Sequence, residues 1–296
     1  MASQSNLRGV GAMLVSAGAF VANDSCMKAA LAAYPPLEVL VLRGLAACLW
    51  CVPLVLVMGH GRSLGLLANP WILGRSLCEL FAILCFVYGL TQVPIADLTT
   101  IVQITPLIVL SASALIWGDH IGLRRWLLIG LGIVGALLVA QPGAASASPY
   151  AILGFVAAFG AAARDIFTRK VPAEAPALIV ALSTIFTVMA GAAAGTLTFE
   201  DWAGPDLATA GLMLAAGFFL MCGHLFVFLA FRRAEPRVVA PFAYSLIIWS
   251  TLSGVLVFDE VPNALAIAGM ALIVATGLGV ILNERRQRAG VTLTHS

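Results

Sequence analysis

Polar residues interrupt this chain at short intervals, and between them lie ten apolar stretches. They run approximately over 7–32, 37–58, 71–92, 97–117, 121–141, 150–170, 175–197, 208–232, 237–257 and 262–284. A hydrocarbon core about 30 Å thick takes roughly 20 apolar residues of helix, so each stretch is long enough to cross a bilayer. Runs such as 127–140 are continuously apolar, whereas membrane-barrel strands alternate apolar and polar positions. Backbone groups in hydrocarbon must be satisfied within their own segment, which favours helices. The pattern predicts an all-α integral membrane protein with ten transmembrane helices.

The pattern also repeats. The stretch from Leu98 to Gln141 has the same plan as that from Val239 to Asn283: an apolar segment closed by an aromatic and an acid, a short turn, and a second apolar segment. The hinges read Trp117-Gly118-Asp119 and Phe258-Asp259-Glu260, and Asp119 and Glu260 are 141 residues apart. The same offset matches Asp24 with Asp165, Lys28 with Arg169 and Pro35 with Pro176. A fixed offset over several polar positions argues an internal duplication. Five helices per copy is an odd number, so the second copy enters the membrane from the opposite side. Two inverted five-helix repeats are therefore expected, over 7–141 and 150–284, followed by a cytoplasmic tail at 285–296.

Composition agrees. Of the 296 residues, 61% are hydrophobic and 10% charged, with a mean hydropathy of +1.02, whereas soluble domains carry about 25% charged residues. Little chain remains for a soluble domain, and nucleic acid is not an expected partner; the lipid bilayer is. With the N-terminus in the cytoplasm, 14 of the 16 basic residues fall at cytoplasmic helix ends, and the remaining two, Lys28 and Arg43, lie in the outer halves of the first two helices. The positive-inside rule then puts both termini in the cytoplasm. Arg8 precedes a run resembling a signal peptide, but the run continues to Asn23 and Asp24 and reads as a retained first helix.

Several polar residues inside the spans are candidates for function. Asp24 and Lys28 have the spacing of an intrahelical ion pair, and Arg43 needs a partner, with Asp24 or Glu38 in reach. Glu79 reads as the deepest acid without an obvious basic neighbour, and so as a proton carrier, a ligand for a substrate amine, or a structural acid. Pro106, after Gln103 and Thr105, permits a kink in the fourth helix. The small residues of 157–163 imply a close neighbour or a cavity. His224 is the one histidine inside a helix, and Tyr244 and Trp249 lie deeper than an interfacial aromatic belt, so they either pack or line a cavity.

Other chemistries find little support. The six cysteines, at 26, 48, 51, 78, 85 and 222, all lie in apolar helices and read as small hydrophobes; the redox-like spacing of Cys48 and Cys51 lacks a soluble site around it. No HExxH, GxSxG or paired-histidine motif occurs, so neither metal nor cofactor is expected, and an intramembrane enzyme is disfavoured. No ring of like charges or filter-like loop suggests a channel.

Ten helices, five-helix repeats and an acid-bearing turn before the last helix of each repeat resemble the drug/metabolite transporter superfamily, in its EamA-type members. The segment from Trp117-Gly118-Asp119 through Arg124-Arg125-Trp126 to Gly132 and Gly135 is most like the family, with Glu260 and Gly269 as a weaker echo. Asp119 stands where Glu is usual, which keeps the charge of the turn. The chain is most similar to bacterial aromatic amino-acid exporters and related amino-acid exporters. The resemblance implies export of aromatic and other neutral amino acids across the bacterial inner membrane by alternating access around a central cavity. The alternative within the same fold is a drug, nucleoside or sugar-like metabolite. For a zwitterion, Asn23 or His224 would donate to the carboxylate, Glu79 would accept the ammonium, and Phe20, Phe86, Tyr244 and Trp249 would supply apolar wall. Oligomeric state is open, a monomer included.

Overall fold

A computed structural model describes residues 2–117, 122–142 and 148–293. Gly118 and Asp119 of the first hinge, and His120 after them, lie outside these described residues. Among the described residues, ten helical spans are long and apolar enough to cross a membrane, near the expected positions. They are α1 (Ala2–Leu31), α2 (Pro36–Val57), α3 (Pro70–Leu90), α4 (Ile95–Val102) with α5 (Thr105–Trp117), α6 (Leu123–Ala140), α7 (Ala151–Thr168), α8 (Ala177–Phe199), α9 (Leu207–Arg233), a ninth span in pieces, and α12 (Ala264–Leu293). The pieces of the ninth are α10 (Pro236–Val239), a 3₁₀ turn over Ala240–Tyr244, and α11 (Ser245–Phe258). Helix α12 continues through most of the segment expected as a tail.

Local chemistry sets the helix ends. Pro35 and Pro176, 141 residues apart, stand at the N-caps of α2 and α8. Asn69 caps α3, accepting from the backbone N–H of Trp71 at 3.0 Å and of Ile72 at 3.4 Å, with Pro70 at the first helical position. Asp206 caps α9 through the Thr209 N–H at 2.8 Å, and that bond holds its carboxyl below the ordinary Asp value. Glu200 accepts from the N–H groups of Leu37 and Glu38, and Glu38 accepts in turn from those of Ala203 at 2.8 Å and Gly204 at 3.0 Å. Glu38 is thus fully buried in a loop-holding role and is not the partner of Arg43.

The fourth and ninth spans break at matching places. The α4/α5 junction follows Gln103 and the junction before α11 follows Tyr244, again 141 apart. Pro106 has no N–H to offer the Val102 carbonyl, and the Thr105 hydroxyl donates to that oxygen instead, at 2.6 Å. Beside the second break the Ser245 hydroxyl makes the equivalent bond to the Phe242 carbonyl, also at 2.6 Å. The two breaks meet, for the Gln103 side chain donates to the Ala243 carbonyl at 3.3 Å.

Packing carries the same relation. Helix α1 packs on α9 as α3 packs on α7; α2 packs on α9 as α8 packs on α3; α1 meets α11 as α7 meets α4 and α5. The remaining principal pairs, α2 with α8, α4 with α11 and α6 with α12, each join a span to its own counterpart. Exchanging every span with the one five places along leaves this set unchanged, the pattern that a two-fold relation between halves produces.

Helices α6 and α12 approach through glycine. A Cβ on Gly135 would stand 3.0 Å from the Gly269 carbonyl oxygen, and one on Gly269 would collide with the Gly135 carbonyl oxygen. At one end of this pair, Gln141, with φ of 45°, and Asn263 exchange side-chain amide hydrogen bonds at 2.7 and 3.2 Å. Gly269→Val is expected to lower the thermal unfolding midpoint in detergent, from overpacking of about 1–3 kcal/mol. An unchanged midpoint would contradict this close crossing.

Candidate functional site

The halves meet around a cavity of about 390 Å³. Its lining contains seven pairs of positions 141 residues apart: Phe20 and Ala161, Asn23 and Arg164, Asp24 and Asp165, Arg43 and Thr184, Glu79 and Leu220, Ile83 and His224, and Thr105 and Leu246. The cavity therefore lies where equivalent parts of the halves face each other. At six of the seven pairs the residue types differ, Asp24 and Asp165 being the exception, so the matched positions present an asymmetric chemistry.

One side of that chemistry is densely bonded. Arg164, on α7, donates to Glu79 Oε2 on α3 at 2.8 Å and, through Nε, to Asp165 Oδ1 at 2.8 Å. One turn before Glu79, Arg75 donates to the Thr184 hydroxyl at 2.7 Å and the Thr168 hydroxyl at 3.1 Å. The Ser76 hydroxyl lies 3.2 Å from that of Thr184. Glu79 is thus the ionic partner of Arg164, with Arg75 beside it, and does not stand alone as expected. The pairing joins residues 85 apart in the chain, which is why spacing along one helix failed to find it.

The other side is sparsely bonded. The Asn23 amide donates to Asp24 Oδ1 at 2.8 Å, while its own oxygen, Oδ1, is buried without a partner. Arg43 faces the same space from α2, and its charge acts on both Asp24 and Glu79 without forming an ion pair. Phe20, Ile83, Phe86, Leu220 and Val188 complete an apolar wall. The His224 ring lies edge-on to Phe20, with centroids 5.3 Å apart.

Of the residues singled out in the sequence, Phe20, Asn23, Glu79, Phe86 and His224 come together at this cavity. Tyr244 and Trp249 do not. Tyr244, 6% exposed, packs against α12 with its hydroxyl at Gly277, and Trp249, 39% exposed, lies against Gly18. The 3₁₀ turn before α11 sets the direction of both, and from that span it is Leu246 that reaches the cavity. The expected Asp24–Lys28 ion pair is also absent. Lys28 reaches 232 residues along the chain to Glu260 at 2.5 Å, and donates to the Val93 carbonyl at 3.1 Å. Glu260 accepts as well from the Ile95 N–H at 3.0 Å, so one ion pair ties the ends of α1 and α11 to the start of α4. Sequence reading passed over Arg43, Asp24 and Arg164 as cavity residues, although the 141-residue offset already linked Asp24 with Asp165.

Glu79→Gln is expected to destabilise the protein by about 1 kcal/mol, discounted from the fully buried case because both side chains are about a quarter exposed. Adding Arg164→Gln should cost less than the sum of the two single changes, since the pair is then removed together. Additive effects in a double-mutant cycle of unfolding would show that the two charges are not coupled.

Residues 7–141 match the EamA-like transporter family. Among similar proteins are the pseudopaline exporter of Pseudomonas aeruginosa, 29% identical, with 86% of this chain and 89% of that protein aligned; the S-adenosylmethionine uptake transporter of Rickettsia bellii, 25% identical over 94% of each; and the riboflavin transporter of Rhizobium johnstonii, 29% identical over 76% of each. A solved crystal structure, 20% identical, has the same fold with a TM-score of 0.65 over 94% of this chain and 96% of that one. With residues 7–141 matching that family and named transporters aligned along most of its length, this chain is a multi-pass membrane protein similar to transporters of the EamA-like family.

Proposed function

We propose that the protein exports zwitterionic metabolites, aromatic and other neutral amino acids foremost, from the cytoplasm across a bacterial inner membrane. The halves 7–141 and 150–284 act as inverted repeats that rock about the cavity and expose it to each side in turn. Both termini are cytoplasmic on this reading, as the distribution of basic residues favours. The observation that carries it is the cavity lining: charges of both signs and an apolar wall face one cavity, the combination a zwitterion with an apolar side chain requires. That one similar protein takes up an amino-acid derivative, S-adenosylmethionine, is consistent with such a cargo.

Counterflow in liposomes containing the purified protein tests the reading. Labelled phenylalanine, threonine and methionine are expected to exchange saturably, and a nucleoside and a sugar to fail as competitors. Exchange confined to riboflavin, a nucleoside or a sugar would replace the amino-acid cargo and leave the transporter in place. Direction is read in cells: an exporter lowers the internal pool of labelled amino acid on expression, and a raised pool would make this protein an uptake carrier.

A further inference from the structure

Arg43 is 5% exposed, sits in a membrane helix and has five N–H donors. Among the described residues it makes no hydrogen bond and no ion pair, and its Nε is buried without a partner. A guanidinium withdrawn from water and left unbonded is expensive, and intramembrane arginines ordinarily pair with an acid or a backbone carbonyl. Acids are at hand: Asp24 and Glu79 line the same cavity and interact electrostatically with Arg43, yet neither touches it. Glu79 is engaged by Arg164 at 2.8 Å, and Asp24 is held by the Asn23 amide at 2.8 Å. What remains is a cation with all its donors available and a carboxylate with acceptor capacity left, facing one cavity with a gap between them.

The comparison with the opposite half sharpens this. The position equivalent to Arg43 is Thr184, whose hydroxyl receives a hydrogen bond from Arg75, and the other cavity arginine, Arg164, is bonded to two carboxylates. The two arginines that line the cavity therefore differ in kind. Arg164 holds the halves together, whereas Arg43 has nothing to hold.

We propose that Arg43 is the carboxylate anchor of the transport site, gripping the substrate's carboxylate through its fork of N–H donors, with Asp24 receiving the substrate's ammonium and Phe20 and Phe86 receiving its side chain. The inference rests on the amino-acid reading and deepens it, moving the carboxylate donor from Asn23 or His224 to Arg43 and the ammonium acceptor from Glu79 to Asp24. A planar guanidinium matches a carboxylate with two parallel hydrogen bonds, and Asp24 lines the same cavity as Arg43. The Asn23 Oδ1 atom gives the ammonium a second acceptor beside it.

The test compares three probes in counterflow: phenylalanine, phenylalaninamide, which lacks the carboxylate, and 3-phenylpropionate, which lacks the ammonium. The unaltered protein is expected to prefer phenylalanine over the amide by about tenfold to a hundredfold, the worth of a hydrogen bond to a charged group. In Arg43→Gln that preference should collapse toward unity, and Arg43→Lys should restore part of it, since a point charge replaces the fork. Asp24→Asn should erase the preference over 3-phenylpropionate and leave that over the amide. This second variant decides the matter if Arg43→Gln fails to insert. A purely structural Arg43 would lower all rates without changing the ratio between probes, and an unchanged ratio overturns the assignment. Exchange of 3-phenylpropionate but of no amino acid, lost in Arg43→Gln, would keep the anchor and overturn the amino-acid reading. Exchange of none of the three overturns both.

Discussion

Charges buried among apolar helices have to be compensated where they lie, because water is not available to do it, and the centre of this protein is arranged around that demand. Arg164 meets it by bonding Glu79 and Asp165, which fastens α3 to α7 across the boundary between the halves. Lys28 meets it at one end of the bundle by bonding Glu260. Arg43 makes no such bond among the described residues, and on our proposal it is the substrate carboxylate that meets the demand. That contrast separates ionic groups that maintain the fold from one that is ready for a partner. It also assigns Glu79, the acid most conspicuous in the sequence, to the first kind.

The symmetry of the frame gives these charges their location. Helix contacts map onto themselves when the halves are exchanged, and seven pairs of equivalent positions line one cavity. The breaks after Gln103 and Tyr244 fall in the two spans that cross each other beside it. Interrupted helices expose backbone groups that hydrocarbon would not tolerate, so they persist only where side chains or neighbours satisfy them, as Thr105, Ser245 and Gln103 do. On the proposed alternating-access mechanism, a junction held by one or two such bonds is a natural point of bending. The matched positions differ in chemistry: Asn23 stands 141 residues before Arg164, and Arg43 the same distance before Thr184.

The proposed cargo follows from what that cavity contains. It offers an apolar wall of Phe20, Ile83, Phe86 and Leu220, and its charged groups sit on α1 and α2 and on α3 and α7. On the proposed reading, such a lining holds a zwitterion by its ends and tolerates different side chains. The similar proteins named for pseudopaline, S-adenosylmethionine and riboflavin show that one fold serves varied cargoes, so the distinction has to come from the few polar residues at this site.

The sequence alone determined the class, the number of spans and the 141-residue offset, because hydropathy, proline positions and helix length are local properties that a bilayer enforces segment by segment. It also brought five of the seven selected residues to one cavity, since a polar or aromatic group deep in an apolar helix has few other places to go. The tertiary structure decided which charges pair. Glu79 with Arg164 and Lys28 with Glu260 are separated by 85 and 232 residues, and only packing brings them within 2.8 and 2.5 Å. It also decided which way a side chain points after a broken helix: the turn over Ala240–Tyr244 directs Tyr244 against α12 and leaves Trp249 at the outer surface. A change of helical register at one junction rotates every residue beyond it, and that rotation is set by the neighbours the segment packs against and not by the segment itself.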